Sequence, residues 1–417
     1  MSDVPIGMLS PYRVLDLTDE KGWFCGKVLS DLGADVIKIE KPGGDPGRKT
    51  GPFFHDEVEP EKSLYWFAYN TNKRGITLNL ESTDGQEIFK RLVTTTDFVI
   101  ESFEPGYLDK LGIGYAHLEK LNPRLIMVSI SPFGQTGPYC HYRSSDVVLW
   151  ALSGYMQPFG NEDRAPLRVS HHSQAYLHAS AQAAIGALLA LRQLNLTGEG
   201  QHVDVSIQEA VAWIVDLPVI AWDMLKVTMQ RDHGQHQNQS LRIRQIWRCL
   251  DGFVYWRYGL GARSTRTTQP FVEWMKTEGF ADDFLRGFDF EKADIRQLTQ
   301  GTIDRLEQPT ARFLASHSKD ELFKGGVEHQ VLLYPVSTIA DLAGLDQLSA
   351  RGFWSTLQHP ELGGSIRYPG PFAQASLTPP AVVTRAPLPG EHNREIYELE
   401  LRLSQDEISK LAHSRMI

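Results

Sequence analysis

The sequence predicts an α/β protein with a large, doubly wound domain on a parallel sheet and a smaller α+β domain after it. Three observations carry this. Short apolar runs alternate with amphipathic stretches through the first 200 residues, and strands separated by helices need crossover connections, which produce a parallel sheet covered on both faces. The alternation stops at Met229 to Asn238, a polar stretch rich in His and Gln. A segment of new composition then opens at Ile246.

Taken in order, Arg13-Val-Leu-Asp-Leu-Thr18 is a short apolar strand, Trp23 to Leu32 an amphipathic helix and Asp35-Val-Ile-Lys-Ile-Glu40 a second strand. Ile76-Thr-Leu-Asn-Leu80 leads into a helix opening at Ser82 or Thr83 and running to about Val93, and Asp97-Phe-Val-Ile-Glu101 is the next strand. A helix at His117 to Leu121 and the strand Leu125 to Ile130 follow. Tyr176 to Leu191 has small residues all round, the mark of a helix packed on several sides. Gly198 to Ser206 reads as a turn and a strand, with another apolar helix from Gln208. Gly252-Phe-Val-Tyr-Trp256 is strand-like. The expected division is 1–225 for the first part of the large domain, 226–330 for the small domain and 331–417 for a return segment. That last segment is punctuated by Pro and Gly and ends in a helix at Ser404 to Ser414, so it wraps an existing body and builds no third core.

Composition excludes several functions. With 42 basic and 51 acidic residues among 417, the net charge is −9, which is not the balance of a nucleic-acid binder. A chain of this size buries about three-quarters of its unfolded surface, and 41% apolar residues can fill the core. Cys25, Cys140 and Cys249 lie far apart and match no disulfide framework or metal-ligand spacing, so a reducing cytoplasm is expected and no metal. Met1 to Tyr12 lacks the basic and apolar regions of a signal peptide, and no stretch approaches 18 uninterrupted apolar residues, so no membrane partner is expected. Asn195-Leu-Thr and Asn238-Gln-Ser are then chance matches to a glycosylation acceptor.

Common cofactor motifs are missing. The first strand is followed by Asp19-Glu-Lys-Gly-Trp-Phe-Cys-Gly26, which is not G-x-G-x-x-G, so no nicotinamide or flavin is expected. Neither a G-x-x-x-x-G-K-[ST] loop nor a G-x-S-x-G elbow occurs. His171, His172 and His178 have no carboxylate between Asp163 and Glu199 and read as polar loop histidines; Gly259-Leu-Gly-Ala262 reads as a turn. Lys38, Lys41, Arg48, Lys73 and Arg74, however, gather at predicted strand ends and the loops beyond them. Ligands of open α/β sheets bind at strand carboxyl ends near a topological switch point, so this cluster points to an anionic, nucleotide-like ligand.

Further segments give the chain a resemblance to the class III CoA-transferases, the family of formyl-CoA transferase and carnitine CoA-transferase. They include Leu32-Gly-Ala-Asp-Val-Ile-Lys-Ile-Glu-Lys-Pro42 with Gly44-Asp45 and Arg48, Asn70-Thr-Asn-Lys-Arg-Gly-Ile-Thr-Leu78, and Glu101-Ser-Phe-Glu-Pro-Gly106 with Leu111-Gly112. Phe133-Gly-Gln-Thr-Gly-Pro138, Leu152-Ser-Gly154 and Thr197-Gly-Glu-Gly-Gln-His-Val-Asp-Val-Ser206 continue the likeness in the same order, through nearly the whole chain. The resemblance implies a Rossmann-like large domain built from both chain ends, an inserted small domain and an interlocked dimer. It also implies transfer of CoA from an acyl-CoA to a free carboxylate, with the CoA thioester as substrate and no tightly bound cofactor. By the same likeness CoA rests on Lys21, Gly22, Lys41, Leu78, Ser102, Phe103, Tyr107 and Lys110, where lysines suit phosphate charge and Phe103 can pack against the base.

In that family an aspartate attacks the thioester carbonyl, giving a mixed anhydride and CoA thiolate, and the thiolate returns to form an enzyme thioester. Counting from Leu152-Ser-Gly154 and back from Ile185-Gly186, the aspartate position falls on Tyr176. A phenol, with a pKa near 10, is scarcely ionised at neutral pH and forms no such anhydride. Arg164 to Gly198 contains no Asp or Glu, so no shift of register restores the carboxylate. The family's glycine-rich loop reads here as His233-Gly-Gln-His-Gln-Asn-Gln-Ser240, with one glycine. Racemases of the family carry a histidine where this chain has Ser145, so racemisation is not expected. No catalytic residue is therefore expected here, and the resemblance extends to the aspartate-lacking subunit of a two-chain family member. The expected partner is a homologous catalytic subunit, in a hetero-oligomer. Two alternatives stand beside this: a self-sufficient homodimer using another carboxylate such as Asp146 or Asp163, and a non-catalytic CoA-binding scaffold.

Overall fold

The computed structural model describes residues 7–160, 164–169, 173–226, 228, 235–238 and 241–417. Two compact units divide the chain, Met1–Tyr155 with Arg168–Leu225 and Gln347–Ile417, and Met156–Leu167 with Lys226–Asp346.

The larger unit is organised by six parallel strands, β1 (Arg13–Leu17), β2 (Asp35–Glu40), β3 (Arg74–Thr77), β4 (Phe98–Glu101), β5 (Ile126–Ser131) and β6 (His202–Ser206). Their order is β3-β2-β1-β4-β5-β6, that of a doubly wound sheet whose switch point lies between β1 and β4. Every residue of β4 and β5 is buried, as continuous apolar strands covered on both faces must be. β6, at the edge, is only partly covered.

Helix ends follow local chemistry. Ser82 caps the helix Thr83–Val93 by accepting the Gly85 N–H at 3.0 Å, and Ile88, Phe89, Leu92 and Val93 face the sheet core. β3 begins at Arg74, two residues before the expected Ile76, because Arg74 and Gly75 already pair with Ile37 and Lys38 of β2; the Arg74 guanidinium is held by Asp35, Glu395 and Glu400. Leu78, whose N–H still donates to Glu40 O at 2.7 Å, and Leu80 lie beyond β3 and line a cleft. The helix Gln174–Thr197 is longer than its expected span, ending on Gly198 at φ 82°. It buries a stripe of alanines but exposes Ile185, Leu189 and Leu196, so it packs on fewer sides than its small residues suggested. His178 lies within this helix, its ring against Trp150, and is no loop histidine. His171 and His172 lie outside the described residues.

In the smaller unit β7 (Gln235–Asn238) pairs with β8 (Leu241–Arg244), and β9 (Ile246–Cys249), β10 (Gly252–Tyr255) and β11 (Tyr334–Pro335) form an antiparallel sheet ordered β11-β10-β9. Trp247, Trp256, Phe271, Trp274 and Phe313 fill its core. This unit ends at Asp346 and not at 330, since Val331 and Leu333 are buried in that core and β11 pairs with β10. It also takes in Met156–Leu167, a piece that the strand–helix rhythm did not separate.

Gln347–Ile417 lies in the larger unit. β12 (Trp354–His359) and β13 (Gly364–Pro369) form a hairpin whose Leu357 and Tyr368 pack with Trp23, Trp66 and Phe67. Ile396, Tyr397 and Leu403 close one side of the sheet core, where each fully buried side chain contributes about 1.5–3 kcal/mol.

Candidate functional site

A cleft of about 570 Å³ opens at the carboxyl ends of β1 to β4, on both sides of the switch point. The turn after β1 forms one wall and is fixed from beneath. Asp16, fully buried, accepts from Lys73 Nζ at 2.8 Å, Lys38 Nζ at 3.3 Å and Thr18 Oγ1 at 2.7 Å. Burial pushes the Asp16 carboxyl up, but the two ammonium groups outweigh it and hold the pKa below its usual range. Burial lowers the Lys73 ammonium to about 8. Lys38 also donates to Thr18 O, which ties the network to the cleft wall.

The neighbouring walls are equally built. Arg48 is fully buried, grips Glu40 through two bonds of 2.6 and 2.7 Å, donates to Pro387 O and lies 3.8 Å from the Trp66 ring centre. Ser102 Oγ accepts the Asp19 N–H and donates to Asp19 Oδ1, both at 2.8 Å. The Phe103 and Tyr107 rings sit 4.8 Å apart, and the Tyr107 hydroxyl donates to Glu81 at 3.1 Å.

Of the residues expected at the ligand site, Lys41, Leu78, Ser102, Phe103 and Tyr107 all line this cleft. Lys21, Gly22 and Lys110 do not. Lys21 is drawn to Asp19, Gly22 is buried where any side chain would strike Thr18, and Lys110 is exposed at the end of the short helix Tyr107–Lys110. The basic cluster also divides. Lys38 and Lys73 share Asp16 as ion-pair partner, Arg48 pairs with Glu40, and Arg74 with Asp35 and two glutamates. These four are structural ion pairs, and Lys41 alone of the five faces the cleft. Sequence reasoning missed Arg415, which lines the cleft from the far end of the chain.

Tyr176 stands in the first turn of the helix Gln174–Thr197 and is 6% exposed. Burial pushes its phenol well above the usual range, and the charges of Glu20 and Asp146 push it further. Ser180, one turn on, donates to Lys21 O at 2.9 Å and ties this helix to the turn after β1. The carboxylate-free run from Arg164 to Gly198 therefore does not make the surroundings carboxylate-free: Glu20 arrives from the β1 turn and Asp146 from the helix Asp146–Leu152. Both carboxyls are raised above their usual range, chiefly by burial. Asp146 Oδ1 accepts the Ala175 N–H at 2.8 Å. Asp163 lies outside the described residues, as do 233–234 and 239–240 of the expected active-site loop. Among the described residues no cluster of His, Cys, Asp or Glu could hold a metal ion, and no helix is long and apolar enough to cross a membrane.

Behind the cleft, Glu101 ends β4, 5% exposed, and accepts the Phe103 N–H at 2.7 Å. Burial raises its carboxyl to about 7. The folded chain thus holds a proton there that the unfolded chain, with an ordinary carboxyl near 4.3, has released. The sign follows: stability from this proton is complete below about pH 4.3 and is lost as pH rises to about 7, by up to about 4 kcal/mol. Glu101→Gln should flatten that part of the pH profile. Urea midpoints at pH 5 and pH 8 measure it, and an unaltered difference between the two pH values would count against the assignment.

Four likenesses bear on this site. A family model described as CoA-transferase family III matches residues 9–393. Over 93% of its length and 93% of the relative's, the chain is 37% identical to the succinyl-CoA:(R)-benzylsuccinate CoA-transferase subunit BbsE of Thauera aromatica. It is 32% identical, over 100% of both chains, to the succinyl-CoA–D-citramalate CoA-transferase of Chloroflexus aurantiacus. Among solved structures, a CAIB/BAIF family protein from Brucella suis matches 94% of this chain and 99% of its own, with a TM-score of 0.79 and 26% identity.

Proposed function

The chain belongs to CoA-transferase family III, and from that membership we propose that it is the subunit of a hetero-oligomeric CoA-transferase that lacks the nucleophile, working beside a homologous catalytic chain. The observation that carries this reading is the phenol at 176, buried and held protonated where the family's aspartate belongs. It supplies no acyl-accepting carboxylate. Two further observations support the reading. The relative BbsE is itself described as a subunit. The larger unit also exposes apolar side chains along Asp216–Leu225, with Val219, Ile220, Met224 and Leu225 all more than half exposed and Trp213 beside them, a surface of the kind that a partner chain covers. The proposed ligand is a CoA thioester, with its phosphates in the cleft beside Lys41. Succinyl-CoA is the proposed donor, since it is named for both relatives, and benzylsuccinate the proposed acceptor, after BbsE.

The rival, a self-sufficient enzyme, draws on Glu20 and Asp146 close to Tyr176. Burial raises both carboxyls above their usual range, and Asp146 is already engaged by the Ala175 N–H. One experiment separates the readings. The purified chain, given succinyl-CoA and benzylsuccinate, should transfer no CoA, and hydroxylamine should trap no acyl species on it. Adding the homologous partner should start turnover. Exchange catalysed by the chain alone would overturn the proposal.

Tyr176→Asp should not confer activity on the isolated chain. Its new carboxyl would join two others in a buried setting, where burial and like charge both favour the neutral acid. The same assay checks this, and turnover by the single variant would refute the electrostatic argument.

A further inference from the structure

The cleft is lined by more acids than cations. Asp19, Asp45 and Glu81 line it while the Glu40 carboxylate is taken up by Arg48, whereas its basic residues are Lys41 and Arg415, neither in an ion pair among the described residues. A ligand with several phosphate charges needs more than one lysine there.

Arg415 reaches this wall through a costly backbone. The helix Gln405–His413 closes with Arg415 N–H donating to Ala412 O at 3.0 Å and Met416 N–H to Leu411 O at 2.8 Å. That pair of bonds is a Schellman ending, whose residue after the cap is left-handed and usually glycine. Arg415 takes it with φ 56°, a conformation that costs an L residue about 1–2 kcal/mol and that arginine cannot offset locally as asparagine does. Its flanks are anchored. Met416 O accepts the Asn79 N–H at 2.8 Å, just beyond β3, and Ile417 packs against the sheet core. The guanidinium is thus presented by a fixed segment, at a position where backbone conformation alone would favour glycine.

We propose that Arg415 is a phosphate ligand of the CoA nucleotide, and that the last helix thereby forms part of the nucleotide site. This rests on the reading of the cleft as the CoA site. A guanidinium fork matches two phosphate oxygens at once and stays charged at every working pH. CoA offers two candidates, its diphosphate and its 3′-phosphate.

The test is calorimetric titration of the full chain with CoA and with 3′-dephospho-CoA, for wild type, Arg415→Gly and Arg415→Lys. Glycine removes the fork and relieves the left-handed backbone, so the melting temperature should hold or rise while the Kd for CoA increases at least tenfold, the loss of about one charge-assisted hydrogen bond. Lysine should recover part of the affinity. If the 3′-phosphate is the partner, the glycine variant ceases to distinguish the two ligands; if the diphosphate is, both weaken alike. Wild-type CoA affinity in Arg415→Gly overturns the proposal and leaves the cleft reading standing, as does a fall in melting temperature with affinity unchanged. A wild-type chain that binds no CoA overturns both.

Discussion

Asp16→Ala is expected to lower stability by about 3–5 kcal/mol, the usual result of leaving a buried charge without its partner. Asp16, Lys38 and Lys73 are all nearly inaccessible, and the single carboxylate serves both ammonium groups. Without it, the two cations would keep Trp23 O, Asn70 Oδ1, Thr18 O and the carbonyl of residue 16 as acceptors, none of them charged. The defect has a pH signature. A buried, unpaired lysine folds more readily once neutral, so the deficit should shrink as pH rises from 7 toward 10, the range in which the unfolded lysines still hold protons. Urea midpoints across that range measure both effects. A loss under about 1 kcal/mol, or one independent of pH, would show that the network is not electrostatically coupled as its geometry indicates. Function should suffer at the same site, because Thr18 and Asp19 form the cleft wall directly above.

Lys41→Glu should weaken CoA binding by at least 100-fold if the cleft receives the phosphates. Two effects add. The ammonium–phosphate bond, worth about 1.5–3 kcal/mol, disappears, and a carboxylate takes its place in a cleft already lined by Asp19, Asp45 and Glu81. Every 1.4 kcal/mol is tenfold in affinity. Calorimetry at fixed ionic strength, with Lys41→Arg as the charge-preserving control, gives the answer, and equal affinity in the two variants would remove Lys41 from the site. Since Lys41 is exposed and in no ion pair among the described residues, folding should be unaffected, in contrast to Asp16→Ala.

Much of the fold was legible because strand burial is a local property. Phe98-Val-Ile and Ile126-Met-Val-Ser-Ile are apolar enough to demand cover on both faces, and the helix that precedes Phe98 carries its own Ser82 cap. The division of the small unit was less legible. Tyr334 and Pro335 are two residues of strand, and only pairing with β10 shows to which body they belong. Charge was read least well. A sequence lists Lys38, Arg48, Lys73 and Arg74 without their partners: Arg48 finds Glu40 across the loop after β2, and the other three find their carboxylates through the packing of strands or the return of the chain.

The sequence by itself determined the alternating architecture, the family likeness and the phenol at 176, because each is a matter of residue type in linear order. Tertiary structure alone decided which cations remain unpaired, that Glu20 and Asp146 surround a segment with no acid of its own, and that Arg415 faces the same cleft as Lys41. Electrostatic interaction depends on separation in space and on exclusion of water, and neither is fixed by distance along the chain.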